Sequence, residues 1–278
     1  MSRTADSKHI AVIIRVYSRV DDAKALVQII QQYWKKNKYT LFIAHNGAND
    51  GYILDEEIRQ QAEVIDVTEN SGHLSGATDL VKKSYAHIQC RQDIDYVLFI
   101  ESDFWIFDDA LINEGILSGA DIATTIWIEK RKSLGVDFFL IKKSYIAAHP
   151  EILKWEASPE TDMRNFAHES KAKIYIFNGL RPVHVPALMR NLFEHMFSPI
   201  YYAGGRFRLF SKHKALSHHI EDLPKGMHTK KAIANALVQE IFFADIPLYP
   251  LSFIDLFVQR IARYVPQSSW YRRFFIKY

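Results

Sequence analysis

The 278-residue sequence predicts an α/β protein with a mostly parallel central sheet flanked by helices. Three observations carry this. Short, wholly apolar runs recur, as in HIAVIIRV at 9–16, YTLFIAH at 39–45 and YVLFIE at 96–101. Such runs suit strands buried on both faces. Segments with helical spacing of apolar residues stand between them, and each run ends in a polar or glycine-bearing turn.

The elements come in order. The first strand is closed by Tyr17-Ser18-Arg19. Residues 21–35 place Ala25, Leu26, Ile29, Ile30 and Tyr33 at helical spacing, with acids at the start and lysines at the end to complement the dipole. The second strand, 39–45, runs into Asn46-Gly47-Ala48-Asn49-Asp50-Gly51, a strong turn signal. Residues 64–67 are a short third strand, 75–90 a helix and 96–101 a fourth strand. The pattern then changes: 121–127 and 136–142 read as paired strands around the basic turn 129–132. Residues 150–155 and 161–170 are helical and 173–177 a strand. Residues 190–228 are irregular and rich in aromatics and histidines, as a functional loop or lid is; 230–243 is helical again.

Composition narrows the function classes. Hydrophobic residues make up 48% of the chain, enough for a sizeable core. The single cysteine, Cys90, excludes an internal disulfide and reads as a small buried residue. Residues 1–8 lack the apolar core of a secretory leader, and no apolar run approaches the roughly 20 residues that cross a bilayer. The expected location is the cytoplasm. The net charge is +3, but residues 251–278 alone sum to +4, leaving the other 250 residues at −1. The body carries no basic stripe of the kind that binds nucleic acid. The tail sets Arg260, Arg263, Arg272, Arg273 and Lys277 among Phe257, Trp270, Tyr271, Phe274 and Phe275. That pattern suits an anionic membrane surface at its inner face; a C-terminal helix packed on the body or a partner chain fits equally.

In open parallel sheets ligands bind at the carboxyl ends of the strands. There the most informative segment is 95–103, in which an apolar strand delivers Glu101 and Asp103. Hard cations such as Mn²⁺ and Mg²⁺ prefer carboxylate oxygens, and a cation at this place would bridge two phosphates as a Lewis acid. The same residues also read as polar groups leaving a strand, with Asp103 capping the next segment.

The order of segments resembles the inverting family 2-like glycosyltransferases of the GT-A, or nucleotide-diphospho-sugar transferase, fold over roughly 10–177. Their first strand ends in a Thr-Tyr-Asn-Arg-like turn, and Tyr17-Ser18-Arg19 stands in that place. Their second ends in Asp-Asp-Gly-Ser-x-Asp, against His45-Asn46-Gly47-Ala48-Asn49-Asp50 here. Asn70-Ser71-Gly72 and Gly76-Ala77-Thr78-Asp79 are similar to the next signature, and Glu101-Ser102-Asp103 to the Asp-x-Asp metal motif.

The resemblance implies a GT-A catalytic domain over 1–250, with a nucleotide-sugar-binding half at 9–120, an acceptor half at 121–250 and the tail 251–278 beyond. It implies a donor site of Tyr17, Arg19, Asn46, Gly76, Asp79, Glu101 and Ser102, a UDP-sugar donor, and Mn²⁺ or Mg²⁺ on Asp103. Tyr17 and Arg19 would lie near the base, Gly76 would let the backbone approach the ligand, Asp79 would reach the ribose or base and Glu101 would face the ribose or sugar. His184 would be a further metal ligand. The acceptor would be a saccharide or a lipid-linked hydroxyl, as in surface polysaccharide, lipopolysaccharide or glycolipid synthesis. His45, Asn46 and Glu101 depart from the family's acids, which leaves the base open and admits a non-catalytic relative that binds nucleotide sugar or scaffolds an assembly.

The second half should supply a base for the acceptor hydroxyl. Ser158-Pro159-Glu160-Thr161-Asp162 is similar to the family's acidic helix start, with Asp162 the first candidate and Glu160 the second. An ordinary helix start, with Ser158 as N-cap and Pro159 at the first position, explains the same residues. Arg206, Arg208, Lys212 and Lys214 beside Gly204-Gly205 read as a lid closing over phosphates or as a solvated charge run. His218-His219 stands as a possible contributor to the diphosphate or acceptor site. A sugar nucleotidyltransferase would open with a glycine-rich loop after the first strand, and Tyr17-Ser18-Arg19 has no glycine.

Overall fold

The computed structural model describes residues 7–128, 133–177, 208–210, 215–217 and six positions between 227 and 238. The chain divides into two compact units, 1–182 and 183–278. In the first, β1 (His9–Val16), α1 (Val20–Tyr33), β2 (Lys38–His45), α2 (Glu56–Gln61), β3 (Glu63–Asp66), α3 (His73–Ile88) and β4 (Tyr96–Glu101) alternate. After them come β5 (Trp105–Ile106), α4 (Ala110–Leu117), β6 (Ile122–Ile128), β7 (Ser133–Lys142), α5 (Lys143–Ala148), α6 (Pro159–Glu169) and β8 (Ile174–Ile176). In the second unit, β9 (Arg208–Phe210) and β10 (Ala215–Ser217) form an antiparallel pair.

The expected α/β class and mostly parallel sheet are the ones observed. Seven strands lie in the order β3-β2-β1-β4-β7-β6-β8. β3, β2, β1 and β4 are parallel, β7 is antiparallel to both β4 and β6, and β8 is parallel to β6. Only β7 therefore runs against the rest. The sheet continues across residue 120, so the two expected halves share it.

Burial explains the element choice. Ile10 to Ile14 and Val97 to Ile100 are fully buried, as strands covered on both faces must be. α1 buries Ala23, Leu26, Val27, Ile29 and Ile30. α3 contributes Leu80, Val81, Tyr85 and Ile88 to a core shared with Phe99, Phe139 and Trp155, while α6 adds Met163 and Ala167. Phe99 and Phe139 stack across the β4–β7 pair with ring centroids 4.9 Å apart. Cys90 is exposed, not buried as expected, because α3 ends at Ile88 and the chain turns outward. No helix among the described residues is long and apolar enough to cross a membrane.

Strand order reverses at β1: β2 and β3 lie to one side of it, β4 to the other. Such a reversal opens a crevice at the carboxyl ends of the two diverging strands. Tyr17 to Arg19 follow β1 and Glu101 to Asp103 end β4, so both segments border that crevice.

Candidate functional site at the strand-order reversal

Two side-chain groups stand at this edge. The first is made of β1 and β4 residues. Arg15 lies opposite Glu101 in the β1–β4 register. Its side chain is 1% exposed, and Nη2 is 2.8 Å from Glu101 Oε1. Nη2 also donates to the Val136 carbonyl. The guanidinium carbon lies 5.7 Å from the Phe139 ring centroid and 5.8 Å from that of Trp155, within cation–π range. One turn of chain later, Arg19 Nη1 donates to Asp103 Oδ2 at 2.6 Å, and that carboxylate is 6% exposed. Ser102 is buried, and its N–H donates to the Arg15 carbonyl at 3.2 Å.

Glu101 keeps 38% of its side chain open to solvent. Its carboxyl is pushed up to about 7: desolvation raises it most, Asp103 and Asp137 add to the rise, and Arg15 and Arg19 oppose it. A carboxyl poised there exchanges protons at neutral pH.

The second group lies at the ends of β1 and β2. Tyr17 and Tyr52 are exposed and meet edge to face, 5.2 Å between centroids. The Tyr17 hydroxyl is pushed above its ordinary value by desolvation and by the Asp50 carboxylate, while Asn70 acts on it in the opposite sense. Asn46 is 4% exposed, its N–H donates to the Val16 carbonyl at 3.2 Å, and its Oδ1 is buried with no hydrogen-bond partner. A buried amide oxygen in that state needs a donor from elsewhere. His45 is buried beside it. Burial lowers its pKa against the pull of Asp66, whose carboxylate is 3.9 Å away.

The expected site residues divide accordingly. Tyr17, Arg19, Asn46, Glu101, Ser102 and Asp103 lie at or just beyond the carboxyl ends of β1, β2 and β4. Gly76 is packed differently from the expectation. A Cβ there would meet Asn70 Oδ1 at 2.8 Å and Asn46 Nδ2 at 3.0 Å, so the glycine admits these two amides and not a ligand. Asp79 accepts from Ser71 Oγ at 2.9 Å and holds the loop before α3. Asp162 stands at the start of α6. Its Oδ2 accepts the N–H groups of Glu156, Ala157 and Ser158 at 2.8, 3.0 and 3.1 Å. Burial raises its pKa, but those donors outweigh burial and the net shift is downward. A carboxylate so satisfied is a capping acid and a poor base. Glu160 accepts from Ser158 Oγ at 3.1 Å in the same helix start. His184, Arg206, Lys212, Lys214, His218 and the tail 251–278 lie outside the described residues.

Among the described residues, the donor set does not fit the expected divalent ion. Each β4 carboxylate already has a guanidinium on one oxygen, and no group of three His, Cys, Asp or Glu among the described residues is arranged to hold a metal. Arg15 went unnoticed in the sequence, although an arginine inside a wholly apolar strand is a signal: a buried charge requires a partner. Tyr52 carried no such signal.

No family model matches the chain, and no curated protein matches it. Among solved structures it is similar to S. aureus TarS 1–349, at 13% identity over 60% of this chain and 57% of that one, TM-score 0.42. It is also similar to the galactosyltransferase LgtC in complex with donor and acceptor sugar analogs, at 10% identity over 60% and 72%, TM-score 0.38. A Desulfovibrio desulfuricans G20 protein named as a nucleotide-diphospho-sugar transferase matches at 11% identity over 84% and 97%, TM-score 0.43. The chain spans little more than half of TarS 1–349, and at these values no activity passes to it from any of them.

Proposed function

We propose that this chain binds a nucleoside-diphosphate sugar, UDP-linked by preference, at the β1/β4 reversal and transfers the sugar to a hydroxyl of a saccharide or lipid-linked acceptor. The observation that carries the reading is Asn46. A buried amide oxygen without a partner stands at the carboxyl edge of a parallel sheet, beside an exposed tyrosine pair. An amide edge both donates and accepts, and an aromatic face stacks on a base. Together they suit a planar nucleobase. Arg19 lies between that place and the β4 carboxylates, where a diphosphate would extend, and its planar fork suits phosphate oxygens. Of the described carboxyls, Glu101 is the one poised to take a proton from an acceptor hydroxyl. The basic tail 251–278 would hold the protein to an anionic membrane where the acceptor is lipid-linked.

The test is thermal stability of the purified chain against a panel of nucleoside diphosphates and their sugars. A ligand of the folded state raises the midpoint by mass action. The reading expects one base to stand out and Asn46→Ala to abolish the shift. If no nucleotide moves the midpoint, the reading fails. A second reading, binding without transfer, is favoured by the three backbone N–H groups that hold Asp162, the first candidate for the base. Slow release of free sugar from the stabilising donor separates the two, since only a transferase hydrolyses it.

A further inference from the structure

We propose that Arg19 is the built-in counter-ion of Asp103 and fills the place a divalent cation would take, so that a nucleoside diphosphate binds this site without metal. The first half stands on side-chain geometry alone; the second rests on the donor-site reading above.

β4 brings two carboxylates to the crevice, and β1 with its following turn brings one guanidinium to each. Arg15 meets Glu101 at 2.8 Å and Arg19 meets Asp103 at 2.6 Å. The two pairs follow from strand register. Arg15 is paired with Glu101 across the β1–β4 ladder, and the Ser102 N–H continues it by donating to the Arg15 carbonyl. Arg19 is anchored where it stands, because its carbonyl accepts the Ala23 N–H at 3.1 Å to begin α1.

Asp103 is buried, so its pair with Arg19 is poorly screened by solvent. A divalent ion at Asp103 would have to compete with the guanidinium on Oδ2, next to a second guanidinium on Glu101. Asp137, across on β7, adds a negative charge that acts on Glu101, but its Oδ1 already accepts from the Phe138 N–H at 3.1 Å and from Thr125 Oγ1 at 3.3 Å. Arginine stays charged at every accessible pH, and its planar fork of N–H donors suits carboxylate and phosphate oxygens alike.

The test is an Mn²⁺ titration of the full chain followed by electron paramagnetic resonance, with no nucleotide present. The wild type should bind Mn²⁺ only weakly. Arg19→Ala should bind it at least about ten-fold more tightly, since a positive charge has left the ligand oxygen. Adding Asp103→Asn to Arg19→Ala should remove that gain. Arg19→Gln, closer in bulk, is the second variant if alanine disturbs folding, and Arg19→Lys should stay weak. Calorimetry with UDP then reads the consequence: affinity of the wild type unchanged by EDTA, and affinity of Arg19→Ala low in EDTA but restored by Mn²⁺. Tight Mn²⁺ binding by the wild type that Asp103→Asn abolishes, or no gain in Arg19→Ala and Arg19→Gln, overturns the proposal. Absence of UDP binding under every condition refutes the donor-site reading and with it metal-free nucleotide binding, while the Mn²⁺ titration still decides the role of Arg19.

Discussion

Gly47→Ala tests the crevice edge most directly. Gly47 has φ −101° and ψ −2°, a conformation alanine adopts freely, so any cost comes from space. A Cβ on Gly47 would stand 2.1 Å from the Tyr17 carbonyl oxygen, 2.9 Å from its carbon and 3.1 Å from His45 Nε2. The turns after β1 and β2 would have to part by about 1 Å to restore an ordinary contact. They are not free to do so. The Asn46 N–H is bonded to Val16, Val67 to His45, and both Asp50 and Tyr52 to the Gly47 carbonyl. Overpacking against fixed backbone costs about 2–3 kcal/mol. For a chain of this size that lowers the melting midpoint by roughly 5–10 °C. Gly51→Ala is the control. Its φ of +89° penalises a side chain, but nothing lies within 4 Å of the new Cβ. The left-handed strain alone is about 1 kcal/mol, or roughly 2–4 °C. Circular dichroism melts read both, and nucleotide affinity should fall for Gly47→Ala more than for Gly51→Ala. A Gly47→Ala midpoint within about 2 °C of wild type, or a larger loss for Gly51→Ala, refutes the packing argument.

Asp162→Ala should lower stability by about 1 kcal/mol, as loss of a cap does, and should slow donor turnover by less than about ten-fold; a thousand-fold loss would return Asp162 to the role of base. Because the folded carboxyl of Asp162 titrates below its ordinary 3.8, its contribution is present above that value and is lost as pH falls further, so the two melts should converge in acid. Glu101 has the opposite sign. Its folded carboxyl holds a proton up to about 7 while the unfolded one loses it near 4.5, so wild-type stability falls as pH rises between those values. Glu101→Gln should therefore be the more stable protein at pH 8 and lose that advantage below pH 4.5, as chemical denaturation across pH will show. Tyr17→Ala should weaken nucleoside diphosphate binding about 5- to 20-fold with little change in the melt, as loss of one stacking face does; unchanged affinity would remove Tyr17 from the base site.

The succession of elements, and the residues that leave each strand, are written in the amino-acid order. β1, β4 and the second half of β2 are mostly apolar and buried, and continuous burial is a local pattern that a one-dimensional reading sees. β6 and β7 are legible as a pair from the basic turn 129–132 between two apolar-rich segments. α2 is not, because EEIRQQ buries only Ile58 and is fixed by the Asp55 cap and the Lys24 ion pairs. α4 and α5, short and joined closely to their strands, offer no periodicity to read. The roles of the site residues come from the tertiary arrangement instead. Arg19 and Asp103 are 84 positions apart and Arg15 and Glu101 are 86, so each pair exists only because β1 lies beside β4. Asp162 looks like a base by spacing and is a cap because the chain before α6 turns its N–H groups onto it. A carboxylate's role is set by what surrounds it, and the surroundings are assembled by strand order, which no local pattern contains.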